Sequence, residues 1–257
     1  RKLFLTGLLN GMENRLLILY LDREHVGDSR FVKELSARLT RLGPEGPYRV
    51  VAHESGPQTE QALEGRGLFV ERVNGVFDIS SAREQEIVEQ SIRETNRRIV
   101  SLFTEHQVAS VSVQGAAKGL FSWSRENGLE VGDGTWIREL FEKYVTPVVS
   151  GLAVDGASGG VRELPGVLTL SGLRAAFEDI SPLVVYFTTD KGLGIRRGDT
   201  WLGTIEVDEL TSEDPIGHLQ TVRGLVEREI PVLVTSGRGL QEDRGLRGTR
   251  VVQSRDA

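Results

Sequence analysis

Apolar positions along the chain fall into two alternating patterns. Short runs rich in Val, Ile and Leu predict buried strands over residues 16–21, 48–52, 108–113, 146–149, 183–187 and 231–235. Between several of them the period lengthens to that of a helix. Phe31, Leu35, Leu39 and Leu42 recur at spacings of three and four. Ser81 followed by Glu84 has capping-box spacing, and Ile87, Val88, Ile92, Ile99, Val100 and Phe103 then mark one apolar face. Segments 136–144, 168–177 and 215–228 are further helix candidates. Strands alternating with helices predict a parallel sheet covered on both faces and joined by right-handed crossovers. The Gly-rich stretches 155–160 and 192–203 predict hairpins decorating that core, and the apolar residues Leu3, Phe4, Leu5, Leu8 and Leu9 of segment 1–14 suggest a short docked helix.

Composition narrows the class. The 257 residues carry 31 Lys+Arg against 37 Asp+Glu, a net charge of −6, which argues against a broad nucleic-acid-binding surface. The apolar runs are far shorter than the ~20 residues of a membrane helix. With no cysteine, a disulfide framework, a thiol nucleophile and a cysteine metal site are excluded. A cytoplasmic location is the expectation, with no nucleic-acid or membrane partner. Only five basic residues are lysines: Lys2, Lys33, Lys118, Lys143 and Lys191.

In a parallel sheet, ligands bind beyond the carboxyl ends of the strands. Three small-residue turns follow predicted strands: His53-Glu54-Ser55-Gly56-Pro57-Gln58, Gln114-Gly115-Ala116-Ala117-Lys118-Gly119, and Thr188-Thr189-Asp190-Lys191-Gly192-Leu193-Gly194. Their backbone N–H groups suit an anion. Each is also compatible with an ordinary strand-to-helix turn, and none has the spacing of a phosphate loop or a dinucleotide fingerprint. His25, His53, His106 and His218 lack metal-ligand spacing, so no metal is expected. Glu206, Asp208 and Glu209 read as solvated surface, and Trp123, Trp136 and Trp201 as packing residues.

The first of these turns, then Val73-Asn74-Gly75-Val76, then Asn96-Arg97-Arg98-Ile99-Val100-Ser101-Leu102-Phe103, resemble in order and spacing the amino-acid kinase family, closest to its acetylglutamate kinase branch. There the pieces read roughly HGGGP, VNGLR and NK-x-LV-x-L. Val145-Thr146-Pro147-Val148-Val149-Ser150 with the following glycines is similar to that family's strand and hairpin. Thr189-Asp190-Lys191-Gly192-Leu193 is similar to its nucleotide loop, and 231–236 with Gly248-Thr249-Arg250-Val251-Val252 to its closing strands. The resemblance spans about residues 15–253. It implies a three-layer αβα sandwich with a mostly parallel central sheet of about eight strands. Residues 1–14 would be an extension and 15–257 one domain. Its amino-terminal lobe (about 15–177) would hold an amino-acid substrate and its carboxy-terminal lobe (about 178–257) the nucleotide. Active relatives move the γ-phosphoryl of ATP to a carboxylate and commonly dimerise through the amino-terminal lobe. Carried over by position, Ser55, Gly56, Phe77, Thr169 and Ser171 would meet substrate, and Gly115, Thr189, Asp190 and Gly192 the nucleotide.

The departures bear on function, because phosphoryl transfer depends on positive charge where negative charge accumulates. Tyr20 occupies the place of the family's first-strand lysine, and Asp22 and Arg23 replace its two glycines. Gly217 or His218 stands where the second lysine should be, Phe77 where a carboxylate-clamping arginine should be, and 169–173 lacks the N-x-N-x-D signature. Glu54 adds a carboxylate beside the expected phosphates. The resulting expectation is an inactive, acetylglutamate-kinase-like protein that binds, regulates or scaffolds, as a homodimer or paired with an active kinase, and without a certain cofactor. Two alternatives stand beside it. One is an active kinase using Mg·ATP, with Arg23, Lys118 or His218 as substitute cations on an acylated amino acid. The other is a sensor of amino acids or nucleotides.

Overall fold

All six side chains of β1 (Leu16–Leu21) are buried, because it lies in the middle of a sheet covered on both faces. The computed structural model describes residues 16–42, 47–190, 192–241 and 245–254; segment 1–14, Lys2 and Lys191 lie outside them. After β1 come α1 (Arg23–Gly27), α2 (Ser29–Leu42), β2 (Tyr48–His53), α3 (Pro57–Glu64) and the small hairpin β3 (Arg72–Val73)/β4 (Val76–Phe77). The long helix α4 (Ala82–Glu105) leads to β5 (Ser110–Gln114), β6 (Phe121–Ser124), β7 (Gly128–Val131), α5 (Thr135–Glu142), β8 (Thr146–Ser150), β9 (Leu152–Asp155), β10 (Val161–Glu163) and α6 (Gly166–Ala176). The remainder comprises β11 (Leu183–Phe187), β12 (Arg196–Arg197), β13 (Thr200–Trp201), β14 (Thr204–Glu206), α7 (Leu219–Val226), β15 (Val232–Thr235), β16 (Leu240–Gln241), β17 (Gly245–Leu246) and β18 (Thr249–Val252).

Eight strands form the central sheet in the order β14-β18-β15-β11-β1-β2-β8-β5, parallel throughout except where β18 runs against β15. Alternation along β1 sorts the core into two layers. Leu16, Ile18 and Tyr20 face α5, α6 and α7, whereas Leu17, Leu19 and Leu21 face α2 and α4. This is the three-layer α/β sandwich expected from the sequence. The capping box also forms: Ser81 Oγ accepts from the Glu84 N–H, and the Glu84 carboxylate accepts from the Ser81 N–H.

Three features depart from the sequence pattern. A second sheet, β10-β9-β6-β7, stands apart from the first, and the expected hairpin at 155–160 forms within it, joining β9 to β10. Helix α3, opened by Pro57 at its first turn, follows β2 after residues 54–56 and packs against α4 and α1. Finally, α7 starts at Leu219, not 215. Residues 215–218 are held out of the helix by tertiary bonds: the Pro215 carbonyl accepts from the Thr189 N–H at 3.0 Å, and the His218 N–H donates to Tyr186 Oη at 3.1 Å.

Candidate functional site

Parallel pairing places the carboxyl ends of β1, β2, β8, β5, β11 and β15 along one edge, and the chain continues there into its most polar buried residues. In-register pairing sets Tyr20 of β1 opposite Tyr186 of β11, with ring centroids 5.5 Å apart. Asp22, the residue after β1, caps α1: its Oδ1 accepts from the His25 N–H at 3.1 Å and lies 2.7 Å from His25 Nδ1, while Tyr186 Oη donates to its Oδ2 at 3.3 Å. The other ring nitrogen of His25 is 3.1 Å from the Thr188 carbonyl oxygen, which holds the imidazole between two acceptors.

Glu54, the residue after β2, completes the cluster. Its Oε2 accepts from Tyr20 Oη at 3.0 Å and its Oε1 from the Arg23 N–H at 2.6 Å, and His218 Nε2 is 3.7 Å from Oε1. Tyr20 reaches Glu54 across the N-terminus of α6, where a Cβ on Gly166 would overlap Tyr20 Oη. Gly217 likewise lies against the cluster: a Cβ there would come within 2.8 Å of Asp22 Oδ2. Close approach, rather than backbone angle, favours glycine at both positions.

The electrostatics divide the cluster in two. Burial opposes ionisation of both Asp22 and His25. Their mutual hydrogen bond and charge prevail, holding Asp22 below the usual carboxylate range and His25 above the usual imidazole range. They form an ion pair. Glu54 behaves oppositely: burial, then the nearby charges of Asp22 and Glu163, push it up to about 8, against the bonds from Arg23 and Tyr20. Burial pushes His53 down to about 4 and raises Glu163 as well as both tyrosines.

Beside this cluster lies a second one. Arg72 of β3 donates from Nε to Glu60 Oε1 at 3.1 Å, from Nη1 to the Gly75 carbonyl at 2.6 Å and from Nη2 to Ser55 Oγ at 2.9 Å. Its guanidinium sits 4.0 Å over the Phe77 ring. Glu60 also receives the Arg23 guanidinium. Below them, Glu163 Oε1 accepts from the Ser55 N–H at 3.0 Å, while its buried Oε2 has no hydrogen-bond partner.

The substitute cations are therefore not alike. The Arg23 guanidinium meets Glu60, with only its backbone N–H on Glu54, and the His218 ring lies 3.7 Å from Glu54, so each meets a carboxyl group of this chain. Lys118 stands elsewhere, with Nζ 4.9 Å over the Trp136 ring. Ser55 and Phe77 both lie with Arg72, and Gly56 caps α3 with a Cβ position 2.5 Å from Gln58 Oε1. Thr169 and Ser171 turn their hydroxyls back onto helix α6, to Pro165 O and Val167 O. Gly115 packs against the β8–β9 backbone, where a Cβ would overlap the Leu152 carbonyl. Thr189 and Asp190 are exposed, and the Trp201 ring lies over Gly192, 2.5 Å from where a Cβ would be. Among the described residues, no group of three or more His, Cys, Asp and Glu is placed to hold a metal ion, and no helix is long and apolar enough to cross a membrane.

Sequence reading named Tyr20, Asp22, Glu54 and His218 but missed His25, Glu60, Arg72, Glu163 and Tyr186. The Asp22/His25 pair had a local signal, since a capping Asp three residues before a His is a recognisable spacing. Glu163 had none, because its partner Ser55 lies 108 residues away; the partners of Arg72 lie within 17 residues, but no pattern in the sequence marks them.

No protein-family model matches the chain. Among curated proteins it is 26% identical over 188 residues to Protein ARG5,6, mitochondrial, of Candida albicans, a match covering 69% of this chain and 21% of that protein. The chain thus spans about a fifth of that relative's length. Among solved structures it superposes with a TM-score of 0.69 and 14% identity on the Neisseria gonorrhoeae N-acetylglutamate synthase complexed with coenzyme A and N-acetyl-glutamate, covering 95% of this chain and 61% of that one. An isopentenyl phosphate kinase gives 0.60 at 16% identity, covering 92% and 100%. Aspartate kinase from Synechocystis gives 0.64 at 14% identity, covering 93% and 40%. The neighbours differ in activity, so the shared architecture does not select one. The fold is that of the amino-acid kinase family, which the sequence of this chain also resembles.

Proposed function

We propose that this chain is a catalytically degenerate, acetylglutamate-kinase-like protein that acts by binding, regulating or scaffolding, as a homodimer through its amino-terminal lobe or paired with an active kinase. The observation that carries the reading is the hydrogen-bonded filling of the strand-end space by Tyr20, Asp22 and Glu54. A transferring phosphoryl group gathers negative charge and needs fixed cations around it. Here it would meet two acid side chains, Asp22 held ionised against His25 and Glu54 held toward its neutral form, neither of which supplies the positive charge it needs. The cations at the rim do not relieve this, since Arg23 and Arg72 share Glu60 and His25 is committed to Asp22.

Magnesium and ATP, which the fold family implies, do not fit these residues. No lysine of the described chain joins the cluster, and Trp201 covers Gly192 of the loop that would follow the nucleotide. The test is direct: purified protein with Mg·ATP and N-acetylglutamate, glutamate or aspartate, with acyl phosphate trapped as hydroxamate. We expect no product above the protein-free control. Sustained, protein-dependent turnover would overturn the reading.

Within the active-kinase alternative, Arg23 and His218 lie beside the strand-end cluster and Lys118 lies apart from it, over Trp136. That alternative requires Mg·ATP to bind, so an absence of thermal shift at millimolar nucleotide removes it. A shift produced by an amino acid alone would instead select the sensor.

A further inference from the structure

Helix α2 pairs some of its cations and leaves others bare. Arg30 Nε lies 3.4 Å from Glu34 Oε1, and Lys33 Nζ lies 3.8 Å from Glu105 Oε2 of α4. Arg38 and Arg41 follow at a spacing of three, which sets them on one side of the helix. Arg238 joins them from the turn after β15. There Ser236 Oγ accepts from the Arg238 N–H at 3.3 Å, and the turn packs against α2. Arg38 runs beside that turn, its Nε 3.8 Å from where a Cβ on Gly237 would be. Among the described residues, none of these three guanidiniums has a carboxylate within ion-pair distance or a hydrogen-bond acceptor. Elsewhere the chain supplies such partners: Arg23 and Arg72 have Glu60, Arg93 has Glu89, Arg138 has Asp179 and Arg197 has Asp214. In a chain of net charge −6, a bare arginine triad is the exception.

We propose that Arg38, Arg41 and Arg238 form a binding site for a phosphoryl group, carried by a small phosphorylated molecule or by a phosphorylated partner.

The arrangement has a floor and a rim. Arg38 is half-buried, whereas Arg41 and Arg238 are exposed, so one guanidinium is already placed and two can close on a ligand arriving from solvent. Burial lowers the Arg38 pKa; Glu34 opposes that shift, and the charges of Arg41 and Arg238 add to it. A guanidinium keeps its proton regardless, and the strain of like charges is relieved by an anion instead. Each guanidinium offers a planar fork of N–H donors. A phosphoryl group, with three acceptor oxygens and close to two charges, can take bonds from more than one fork, whereas a carboxylate is filled by a single one. An isolated phosphoryl fits better than a nucleic-acid backbone, because the rest of the chain is net negative. The triad is distinct from the strand-end cluster. Phe31 stands between them, its ring centroid 4.4 Å from that of His25 and its Cε2 3.7 Å from the Gly237 Cβ position. Recognition at the triad therefore does not depend on whether the cleft retains chemistry.

The experiment is calorimetric titration of the full chain with pyrophosphate and, separately, with a phosphoserine peptide and its unphosphorylated twin. Salt is kept at about 0.15 M, where exposed charges are screened within roughly 8 Å and long-range attraction is weak. Heat with pyrophosphate alone supports a small phosphorylated ligand; heat with the phosphoserine peptide, and none with its twin, supports a phosphorylated partner. Arg38→Gln and Arg238→Gln should each weaken binding roughly tenfold or more, through loss of a charged hydrogen bond. Arg250→Gln, which removes the same charge from an exposed position on β18, should leave the affinity within about twofold. Should Arg38→Gln fail to fold, Arg41→Gln on its exposed side chain takes its place with the same expected loss. Absence of heat with both phosphorylated probes overturns the site. So does an equal loss in Arg250→Gln, or equal affinity for citrate, since either would reduce the attraction to charge alone. Because neither Mg·ATP nor turnover enters, these outcomes are separate from those of the hydroxamate test.

Discussion

Glu54 and His53 are neighbours with opposite consequences for stability. Both are buried, and both favour the neutral form in the folded chain, but one is an acid and the other a base. The folded state raises the Glu54 carboxyl from 4.5 to about 8. Its protonated form contributes stability that is fully present below 4.5 and is lost as pH rises toward 8, at up to about 1.4 kcal/mol per pH unit. The folded state lowers His53 from 6.5 to about 4, so its contribution is lost as pH falls through that interval. Between 4.5 and 6.5 the two oppose each other; above 6.5 Glu54 acts without that counterweight, joined by His25, whose raised imidazole also loses its contribution on deprotonation. Urea unfolding midpoints should therefore decline from pH 6.5 to 8. In Glu54→Gln the decline should shrink to the part due to His25, and the variant should exceed wild type above pH 8. Equal slopes in the two proteins would show that Glu54 is not held neutral. Residues 53 and 54 are plain in the sequence as a turn after a strand. Their protonation is not, because it depends on Asp22 and Glu163, 32 residues before and 109 after Glu54 in the numbering.

Helix α6 meets the sheet through its first residue. Gly166 leaves room for the Tyr20 hydroxyl, which in turn reaches Glu54. Adding a methyl at Gly166 should cost roughly 1–3 kcal/mol through overpacking. Tyr20→Phe should cost about 1–3 kcal/mol by leaving Glu54 Oε2 without its partner, while Oε1 keeps the Arg23 N–H. Combined, the two should cost less than their sum by at least about 0.5 kcal/mol, since the phenylalanine removes the atom that the methyl strikes. Additive costs in that double-mutant cycle would mean that α6 and β1 do not touch as described. The sequence showed α6 clearly as an apolar period near 168–177, and it showed the capping box of α4 at residue level. It did not show where α7 begins. Residues 215–218 carry no helix-breaking pattern strong enough to predict the start at Leu219; bonds to Thr189 and Tyr186 decide it. Local propensity loses where a tertiary partner satisfies the backbone instead.

Across the whole molecule, the proposed reading predicts that one added lysine does not bring phosphoryl transfer. Tyr20→Lys places a lysine on the first strand, but it arrives among Asp22 and Glu54, which would neutralise it before any phosphate arrived. Arg23 and Arg72 would still be bound to Glu60. We expect no hydroxamate from Tyr20→Lys with any of the three amino-acid substrates, and measurable turnover would show that a single cation was the missing part. The alternation of apolar runs with helical periods sufficed to determine the layered sheet, because burial on both faces leaves only continuous apolar strands and one-sided helices as solutions. It also determined that Tyr20, Asp22, Glu54 and Phe77 stand where the resembling family carries other groups, since identity at a position is a property of the chain alone. Tertiary structure alone decided that Tyr20 donates to Glu54, that Tyr186 donates to Asp22, and that His218 comes within 3.7 Å of Glu54. Hydrogen bonds and buried charge act over a few ångströms of space, and the partners in this cluster lie up to 164 residues apart along the chain.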